Sequence, residues 1–193
     1  MSTNMIRLEA PFTPEKIRQL KVGDQVLISG TLHTGRDAVH KYLHDGGKLP
    51  VSWKNGILYH CGPVVIEKNG KYQVVAAGPT TSIREEPYEY DVIRQYGLTG
   101  IIGKGGMGPK TLKACQEFGC AYLHAIGGAA QVLAECVEEV TGVYLKDIVG
   151  SPEAIWELRV RDFPVVVTMD ASGRSLHAEL LESSGKILKS LIG

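Results

Sequence analysis

Three apolar segments, each ending in a glycine-rich loop that leads into a helical pattern, constrain the fold of this chain more than any other feature. The segments are Tyr72–Ala77, Gly100–Ile102 and Cys120–Ile126. The loops that follow them begin at Gly78, Gly103 and Gly127. Strand, loop and helix in repeated succession are typical of a parallel sheet with crossover helices. We therefore predict an α/β fold with a mostly parallel sheet.

An additional antiparallel layer is expected beside this sheet. Asn69-Gly70 separates the apolar runs Leu58–Glu67 and Tyr72–Ala77, and this dipeptide supplies the positive φ angles of a tight hairpin turn. The later run Phe163–Asp170 is predicted to join the antiparallel layer, and Gln25–Ser29 is predicted to be a strand. The predicted helices are Pro14–Leu20, Arg36–His44, Pro87–Tyr96, Pro109–Phe118 and Ala129–Val140.

Length and composition predict one domain spanning residues 1–193, since about 100–200 residues is the usual domain size. Hydrophobic residues make up 44% of the chain and charged residues 22%, which allows a sizeable core. Basic and acidic residues both number 21, so no net charge attracts the chain to nucleic acid or an anionic membrane. No apolar run approaches the roughly 18 residues of a membrane span. We expect a soluble, cytoplasmic protein without a nucleic-acid or membrane partner.

The cysteines predict neither a disulfide framework nor a metal centre on this chain. They are Cys61, Cys115, Cys120 and Cys136, without a Cys-x-x-Cys pair. No secretory signal is apparent, and disulfides are rare in reducing compartments. An iron–sulfur cluster needs three or four converging thiolates, whereas these cysteines are scattered along the chain. We expect this chain alone to bind no metal and no cofactor.

The loop Gly103–Gly108 carries the pattern Gly-x-Gly-x-x-Gly between a predicted strand and a predicted helix, which is the context of dinucleotide binding. The acidic residue expected about 20 residues later is missing, because that segment reads Ala125-Ile126-Gly127-Gly128. A proline also breaks the glycine–lysine step of a Walker A motif. Three interpretations stay open: a nucleotide- or phosphate-binding module, a small-anion site of helix amides with Lys104, and a glycine-rich turn with a solvated lysine.

The loop Gly78–Arg84 combines three hydroxyl side chains with a guanidinium. One hydroxyl suffices to cap the following helix, whereas the planar fork of Arg84 suits a carboxylate. Ligands in open α/β sheets bind beyond the carboxyl ends of the parallel strands, where this loop and Lys104 should meet. Together they indicate a site for an oxygen-rich anion. Two cations beside a hydroxyl favour its alkoxide form, which makes Thr80 or Thr81 a candidate base.

A third cluster of polar residues begins at Arg36. This arginine stands at the start of a predicted helix, where the macrodipole disfavours a cation, so a functional role or an ion pair with Asp37 is needed to explain it. His40 and His44 share a helix face at i,i+4, but no third metal ligand is apparent, and no metal site is predicted. The other histidines are interpreted as structural: His33, His60, His124 and His177.

Three motifs together resemble a known family. They are Arg36-Asp37-Ala38-Val39-His40, Gly78-Pro79-Thr80-Thr81-Ser82-Ile83-Arg84 and Gly103-Lys104-Gly105-Gly106-Met107. In order and spacing they resemble the β subunit of class I (iron–sulfur) fumarate hydratases. The same module forms the β subunit of L(+)-tartrate dehydratase and the C-terminal domain of single-chain class I fumarases. The likeness runs from about residue 10 to 180 and includes His60-Cys61-Gly62-Pro63, Gly127-Gly128-Ala129-Ala130, Pro152-Glu153-Ala154-Ile155-Trp156 and Phe163-Pro164.

The resemblance implies a three-layer β/β/α swivelling domain and a hydro-lyase that reversibly hydrates fumarate to (S)-malate. It also implies that the [4Fe–4S] cluster is carried by a separate α subunit, that activity requires this subunit, and that the assembly is α2β2. Within the motifs, the family's dicarboxylate-binding arginines and lysine correspond to Arg36, Arg84 and Lys104. The family's proposed catalytic threonine corresponds to Thr80.

One departure from the family pattern lies beside the site. The family usually has methionine directly after the loop arginine, where this chain has Glu85. We expect this acid to compete for the Arg84 guanidinium. Two alternatives to a fumarate hydratase stay open within the same fold: an L(+)-tartrate dehydratase β subunit, whose substrate is also a four-carbon dicarboxylate, and a non-catalytic scaffold.

Overall fold

A seven-stranded sheet and a separate hairpin organise this chain, whose computed structural model describes residues 5–192. The strands are β1 (Ile6–Glu9), β2 (Gln25–Thr34), β3 (Ile57–Tyr59), β4 (Val64–Lys68), β5 (Lys71–Ala76), β6 (Gly100–Gly103), β7 (Ala121–His124), β8 (Val137–Tyr144) and β9 (Ile155–Met169). The helices are α1 (Pro14–Ile17), α2 (Asp37–His44), α3 (Glu86–Tyr96), α4 (Pro109–Phe118), α5 (Ala130–Glu135), α6 (Lys146–Val149) and α7 (Leu176–Ile192). A 3₁₀ turn, Ser82–Glu85, precedes α3.

The large sheet has the order β1-β2-β3-β6-β7-β9-β8. Its first four pairings are parallel, and every pairing of β9 is antiparallel. Strand β9 also pairs with β2, so β2, β3, β6, β7 and β9 form a closed circuit of hydrogen-bonded strands. Val166 lies opposite both Gln25 and His124 where this circuit closes. The predicted α/β class, with a mostly parallel sheet and a separate antiparallel one, is confirmed.

The hairpin of β4 and β5 turns at the predicted dipeptide. Asn69 and Gly70 have φ angles of 54° and 72°, and two successive positive φ values are those of a type I′ turn. The prediction that Tyr72–Ala77 belongs to the parallel sheet is wrong, because β5 pairs only with β4 in residues 5–192. The loop after β5 is instead held to α5 by a 2.8 Å bond from the Ala77 N–H to the Ala130 carbonyl.

The predicted helix Ala129–Val140 is also wrong in its second half. Helix α5 ends at Glu135, and β8 begins two residues later and pairs with β9. Three valines of this segment, Val137, Val140 and Val143, pack against the hydrophobic core. Their β-branched side chains favour a pleated surface over a helix, so pairing with a distant strand prevails over the local helical pattern.

Apolar side chains on the two faces of the sheet form two core clusters. Ile101 and Ile102 are neighbours in β6, yet one packs with the helix-covered face and the other with the interior of the strand circuit, as the two-residue period of a strand requires. Trp53 and Trp156 are the largest fully buried side chains of the two clusters. Within residues 5–192, no helix has the length and apolar content needed to cross a membrane.

Candidate anion site

Backbone hydrogen bonds join the loops that follow β3, β5 and β6. The Thr80 N–H donates to the His60 carbonyl at 2.7 Å, and the Lys104 N–H donates to the Thr80 carbonyl at 3.2 Å. The Ser82 N–H returns a 3.2 Å bond to the Lys104 carbonyl. A Cβ placed on Gly127 would lie 3.7 Å from Lys104 Cδ. The three glycine loops therefore meet at one edge, as predicted, although the first of them follows a hairpin strand.

The first turn of α2 brings both arginines to this edge. Arg84 Nη2 lies 3.0 Å from Asp37 Oδ2, and Arg36 Nη1 lies 3.3 Å from Glu153 Oε1. Of the two explanations offered for Arg36, the ion pair with Asp37 is therefore wrong, because Asp37 pairs with Arg84. The other oxygen of Glu153 accepts a 3.1 Å hydrogen bond from the Ala38 N–H. An acceptor at that position satisfies a free amide of the helix start and offsets the cation placed there.

Gly62 provides the space that the Arg36 side chain occupies. A Cβ at this position would overlap the Arg36 guanidinium and lie 2.5 Å from the Pro152 carbonyl oxygen. Any larger residue would displace the arginine or the backbone of the loop that holds Glu153. The Arg36 side chain is less than a quarter exposed, and its Nε atom is buried without a hydrogen-bond partner in residues 5–192. Arg36 is therefore held in a fixed position with one buried N–H unsatisfied.

Lys104 and Thr80 are the least engaged of the four predicted site residues. No carboxylate of residues 5–192 lies within 4.0 Å of the Lys104 ammonium, and the Thr80 hydroxyl makes no hydrogen bond to them. Both residues are partly exposed. Arg36, Arg84 and Lys104 carry three positive charges, whereas Asp37 and Glu153 supply two negative charges. The edge therefore has a surplus cation and a free hydroxyl.

The amide groups at the start of α4 are already occupied. Glu86 accepts hydrogen bonds from the N–H groups of Gly108 and Lys110 at 2.8 Å each, and from the Thr111 hydroxyl at 2.6 Å. A carboxylate in this position satisfies the free amides and interacts favourably with the helix dipole. Of the three interpretations of this loop, the small-anion site formed by the helix amides is therefore wrong. A nucleotide phosphate would have to displace Glu86, which argues against the nucleotide-binding interpretation.

A buried group of ionisable side chains lies beneath the site, and the sequence analysis did not find it. Glu89 Oε2 lies 3.1 Å from both His40 Nε2 and His60 Nε2. His40 Nδ1 lies 2.9 Å from the Arg36 carbonyl, and His60 Nδ1 lies 2.9 Å from Ser82 Oγ. The group thus links the start of α2 to the loop between Thr80 and Arg84. All three ionisable side chains are fully buried.

The charges within this group follow from its geometry. Both nitrogens of His40 face acceptors, so both donate, which is the arrangement of an imidazolium. Burial alone would lower the pKa of His40, but the charge of Glu89 and the hydrogen bond to it raise this pKa to about 9. Burial opposes ionisation of Glu89, yet the two histidines lower the pKa of this carboxyl to about 2. Burial lowers the pKa of His60. His40 and Glu89 therefore form a buried ion pair.

The expectation that Glu85 competes for Arg84 is wrong. The Glu85 side chain turns into the interior, is fully buried, and lies 3.6 Å from His40 Nδ1. Neither of its carboxyl oxygens has a hydrogen-bond partner in residues 5–192. Burial, with the nearby carboxylate of Asp37, raises the pKa of Glu85 to about 8 despite the opposing charge of His40. Glu85 is therefore a neutral acid at physiological pH.

The Glu85→Gln variant is expected to have a higher free energy of unfolding than the parent at pH 8. At pH 5 the two free energies of unfolding are expected to be similar. The folded-state pKa of Glu85 lies above its ordinary value of 4.5, so the folded state binds more protons and stability falls as pH rises between these values. The expected gain near pH 8 is on the order of 3 kcal/mol. Urea unfolding at both pH values measures it, with exposed Glu135→Gln as the control. A gain that is the same at both values would contradict this assignment.

The cysteines do not form a ligand set for an iron–sulfur cluster. In residues 5–192, the one group of three or more histidine, cysteine or carboxylate ligand atoms close enough to share a metal is His40, His60 and Glu89. This group contains no thiolate. Three converging thiolates are therefore missing from this part of the chain.

The fold and the site define a class: an α/β domain with two arginines, a lysine and a free hydroxyl at one edge is suited to small carboxylic acids. Residues 1–180 match the model of the family described as fumarase C-terminus. The chain belongs to this family, and the resemblance noted from its motifs is confirmed.

Three relatives are similar to the chain over most of its length. A protein assigned as a class I fumarate hydratase in Geobacillus stearothermophilus is 56% identical over 181 residues. A protein assigned as an L(+)-tartrate dehydratase β subunit in Methanocaldococcus jannaschii is 39% identical over 186 residues, and the L(+)-tartrate dehydratase β subunit of Escherichia coli is 37% identical over 174. These alignments include 93%, 94% and 89% of this chain. They span 35%, 95% and 86% of the three relatives.

Proposed function

We propose that this chain is the β subunit of a class I iron–sulfur hydro-lyase that reversibly hydrates fumarate to (S)-malate. The observation that carries the proposal is the convergence of Arg36, Arg84, Lys104 and Thr80 at one edge, with Lys104 free of any carboxylate in residues 5–192. The family match and the similarity to proteins assigned to both hydro-lyase activities support it. The domain is a single three-layer β/β/α swivelling domain acting in the cytoplasm.

The chemistry of the reaction explains the cations. Dehydration of malate removes a proton from the carbon next to a carboxylate, and the carboxylate then carries additional negative charge. Preorganised donors aimed at this group stabilise the transition state more than the ground state. In this proposal Arg36, Arg84 and Lys104 bind the dicarboxylate. Thr80, held by its backbone bond to the His60 carbonyl, accepts the C3 proton.

A second subunit completes the site in this proposal. The departing hydroxide requires a Lewis acid. We assign this Lewis acid to the partner, because the cysteines of this chain do not converge. Two relatives that match along most of their length are β subunits by name, and the Geobacillus relative is about three times as long as the aligned region. These facts support an α subunit that carries the [4Fe–4S] cluster, in an α2β2 assembly that is active only when complete.

L(+)-tartrate is the second candidate substrate, favoured by the names of the Methanocaldococcus and Escherichia relatives. Tartrate has the same two carboxylates and one more hydroxyl, so Arg36, Arg84 and Lys104 would bind it in the same way. The Geobacillus relative, which is more similar in sequence, is assigned to fumarate. We therefore place fumarate first.

Anaerobic co-expression with its α subunit, followed by initial rates on (S)-malate, fumarate and L(+)-tartrate, tests the proposal. The complex is expected to turn over malate and fumarate faster than tartrate, and the chain alone is expected to be folded and inactive. Faster turnover of L(+)-tartrate would show that tartrate, and not fumarate, is the substrate. A loaded complex that converts none of the three acids would refute the hydro-lyase proposal.

A further inference from the structure

Ser82 carries a buried hydroxyl that the proposed reaction does not use. It is the third hydroxyl residue of the loop Gly78–Arg84 and begins the 3₁₀ turn before α3. Its side chain is fully buried, so a substrate at the exposed edge does not contact it. Ser82 Oγ lies 2.9 Å from His60 Nδ1. The hydroxyl is therefore directed into the buried group of ionisable side chains beneath the site.

The carboxylate of Glu89 decides which nitrogen of His60 bonds to the serine. Burial lowers the pKa of His60, so the imidazole is neutral at physiological pH and carries one N–H. Its Nε2 lies 3.1 Å from Glu89 Oε2. An ionised carboxylate is an acceptor only, so the proton of the ring resides on Nε2. Nδ1 is then an acceptor, and the Ser82 hydroxyl donates to it.

Two bonds to His60 hold the segment on either side of the Thr80 side chain. The Thr80 N–H donates to the His60 carbonyl at 2.7 Å, and Ser82 bonds to the ring of the same histidine. His60 is itself fixed to β6, because its N–H donates to the Ile102 carbonyl at 2.8 Å. Lys104 holds the other side of the segment through its backbone bonds to Thr80 and Ser82. Among these bonds, the one between Ser82 and His60 is made by side chains, so a substitution removes it and leaves the backbone groups in place.

The glycine before Lys104 provides the space that this hydroxyl occupies. A Cβ on Gly103 would overlap Ser82 Oγ and lie 2.9 Å from Tyr122 Oη. Gly103 is buried at the end of β6. Ser82 therefore packs directly on the backbone that leads into Lys104, and its hydroxyl lies between the two loops that contribute Thr80 and Lys104 to the site.

We propose that Ser82 is a positioning residue, whose hydroxyl, held by His60, fixes Thr80 in the geometry needed for proton transfer. The inference rests on the proposed function, since it takes Thr80 as the group that accepts the C3 proton. Proton transfer requires donor and acceptor within hydrogen-bond reach, and a displacement of about 1 Å can reduce a rate by roughly 10²-fold. Ser82 is buried away from the reacting atoms, so its effect on the reaction passes through Thr80.

Ser82→Ala in the complete complex tests the proposal, with initial rates on (S)-malate and on (S)-malate deuterated at C3. Alanine retains the backbone bond to Lys104 and removes only the hydroxyl. We expect kcat for each iron–sulfur cluster, counted from the iron content, to fall roughly tenfold to a hundredfold. KM is expected to stay within about twofold, because Thr80 acts on the proton and not in binding. The deuterium isotope effect on kcat is expected to be at least as large as in the parent, because the slowed step is proton removal.

Thr99→Val is the matched control. Thr99 is also a buried hydroxyl residue, and its hydroxyl donates to the Phe12 carbonyl at 2.7 Å. It directly precedes β6, at the opposite end of that strand from Lys104. Valine removes this hydroxyl as alanine removes that of Ser82. The control is expected to lose stability while it keeps the parental kcat for each cluster and the parental isotope effect.

A double variant tests whether Ser82 acts through His60. In a His60→Gln background the hydroxyl has lost its ring acceptor, so Ser82→Ala is expected to lower kcat by less than about twofold further. If His60→Gln does not assemble, the single variant decides the proposal by itself.

The results that would overturn this inference differ from those that would overturn the proposed function. A Ser82→Ala complex with parental kcat for each cluster, or with a smaller isotope effect, would overturn the positioning role and leave the hydro-lyase proposal intact. An undiminished effect of Ser82→Ala in the His60→Gln background would do the same. A loaded parent complex that converts none of the acids would refute both.

Discussion

The Lys104→Ala variant, assembled with its partner subunit, is expected to lose about 10²- to 10³-fold in turnover while its fold is unchanged. Removal of one preorganised donor that faces developing negative charge has an effect of this size. Lys104 has no carboxylate partner in residues 5–192 and is partly exposed, so its ammonium is not used in stabilising the fold. Initial rates on (S)-malate and fumarate, with a thermal unfolding curve of the variant, provide the measurement.

Lys110→Ala is the matched control for this experiment. Lys110 is an exposed lysine in the first turn of α4, and its contact with Glu86 is made by the backbone N–H, which alanine retains. This variant is expected to keep parental turnover. Arg84→Ala is expected to lose activity like Lys104→Ala, because it also removes a donor to the dicarboxylate. Its fold is expected to be unchanged, because the half-exposed Asp37 that it leaves is readily solvated. Near-normal turnover of Lys104→Ala would show that this lysine does not bind the dicarboxylate.

Local sequence signals correctly predicted a turn and two helix ends whose geometry is set by neighbouring residues. The Asn69-Gly70 turn has its two positive φ angles whatever its neighbours are. Helices α3 and α4 end at Gly97 and Gly119, which adopt left-handed φ angles of 67° and 73°, as glycine at this position does. These predictions needed no knowledge of distant residues.

The features that escaped prediction depend on contacts between distant segments. Strand β8 pairs with β9 after an intervening helix, so its valines could not be assigned from their own spacing. His60 was interpreted as structural, and the i,i+4 rule paired His40 with His44, because Glu89 lies on another element. Glu86 and Glu85 are adjacent in sequence, yet one caps α4 and the other is buried beside His40. Only the assembled fold separates their roles.

Replacement of Glu89 by glutamine is expected to lower the free energy of unfolding by about 3–5 kcal/mol. Removing one member of a buried ion pair leaves the other charge without compensation, and this has an effect of that order. Here the remaining charge is His40, whose second nitrogen stays bonded to the Arg36 carbonyl. The double variant His40→Gln/Glu89→Gln is expected to recover part of the loss, since it removes both charges. Urea unfolding of the parent, both single variants and the double variant measures this coupling.

The pH dependence of this difference distinguishes the ion pair from a simple packing defect. The pKa of Glu89 is lowered from 4.5 to about 2, so its contribution is present above pH 4.5 and is lost as pH falls. The pKa of His40 is raised from 6.5 to about 9, so its contribution is present below pH 6.5 and is lost as pH rises. The parent is therefore expected to exceed Glu89→Gln most between pH 4.5 and 6.5. Asp91→Asn, on the exposed face of α3, is the control and should change stability little. A deficit of Glu89→Gln that stays constant across pH would show that the loss comes from packing and not from charge.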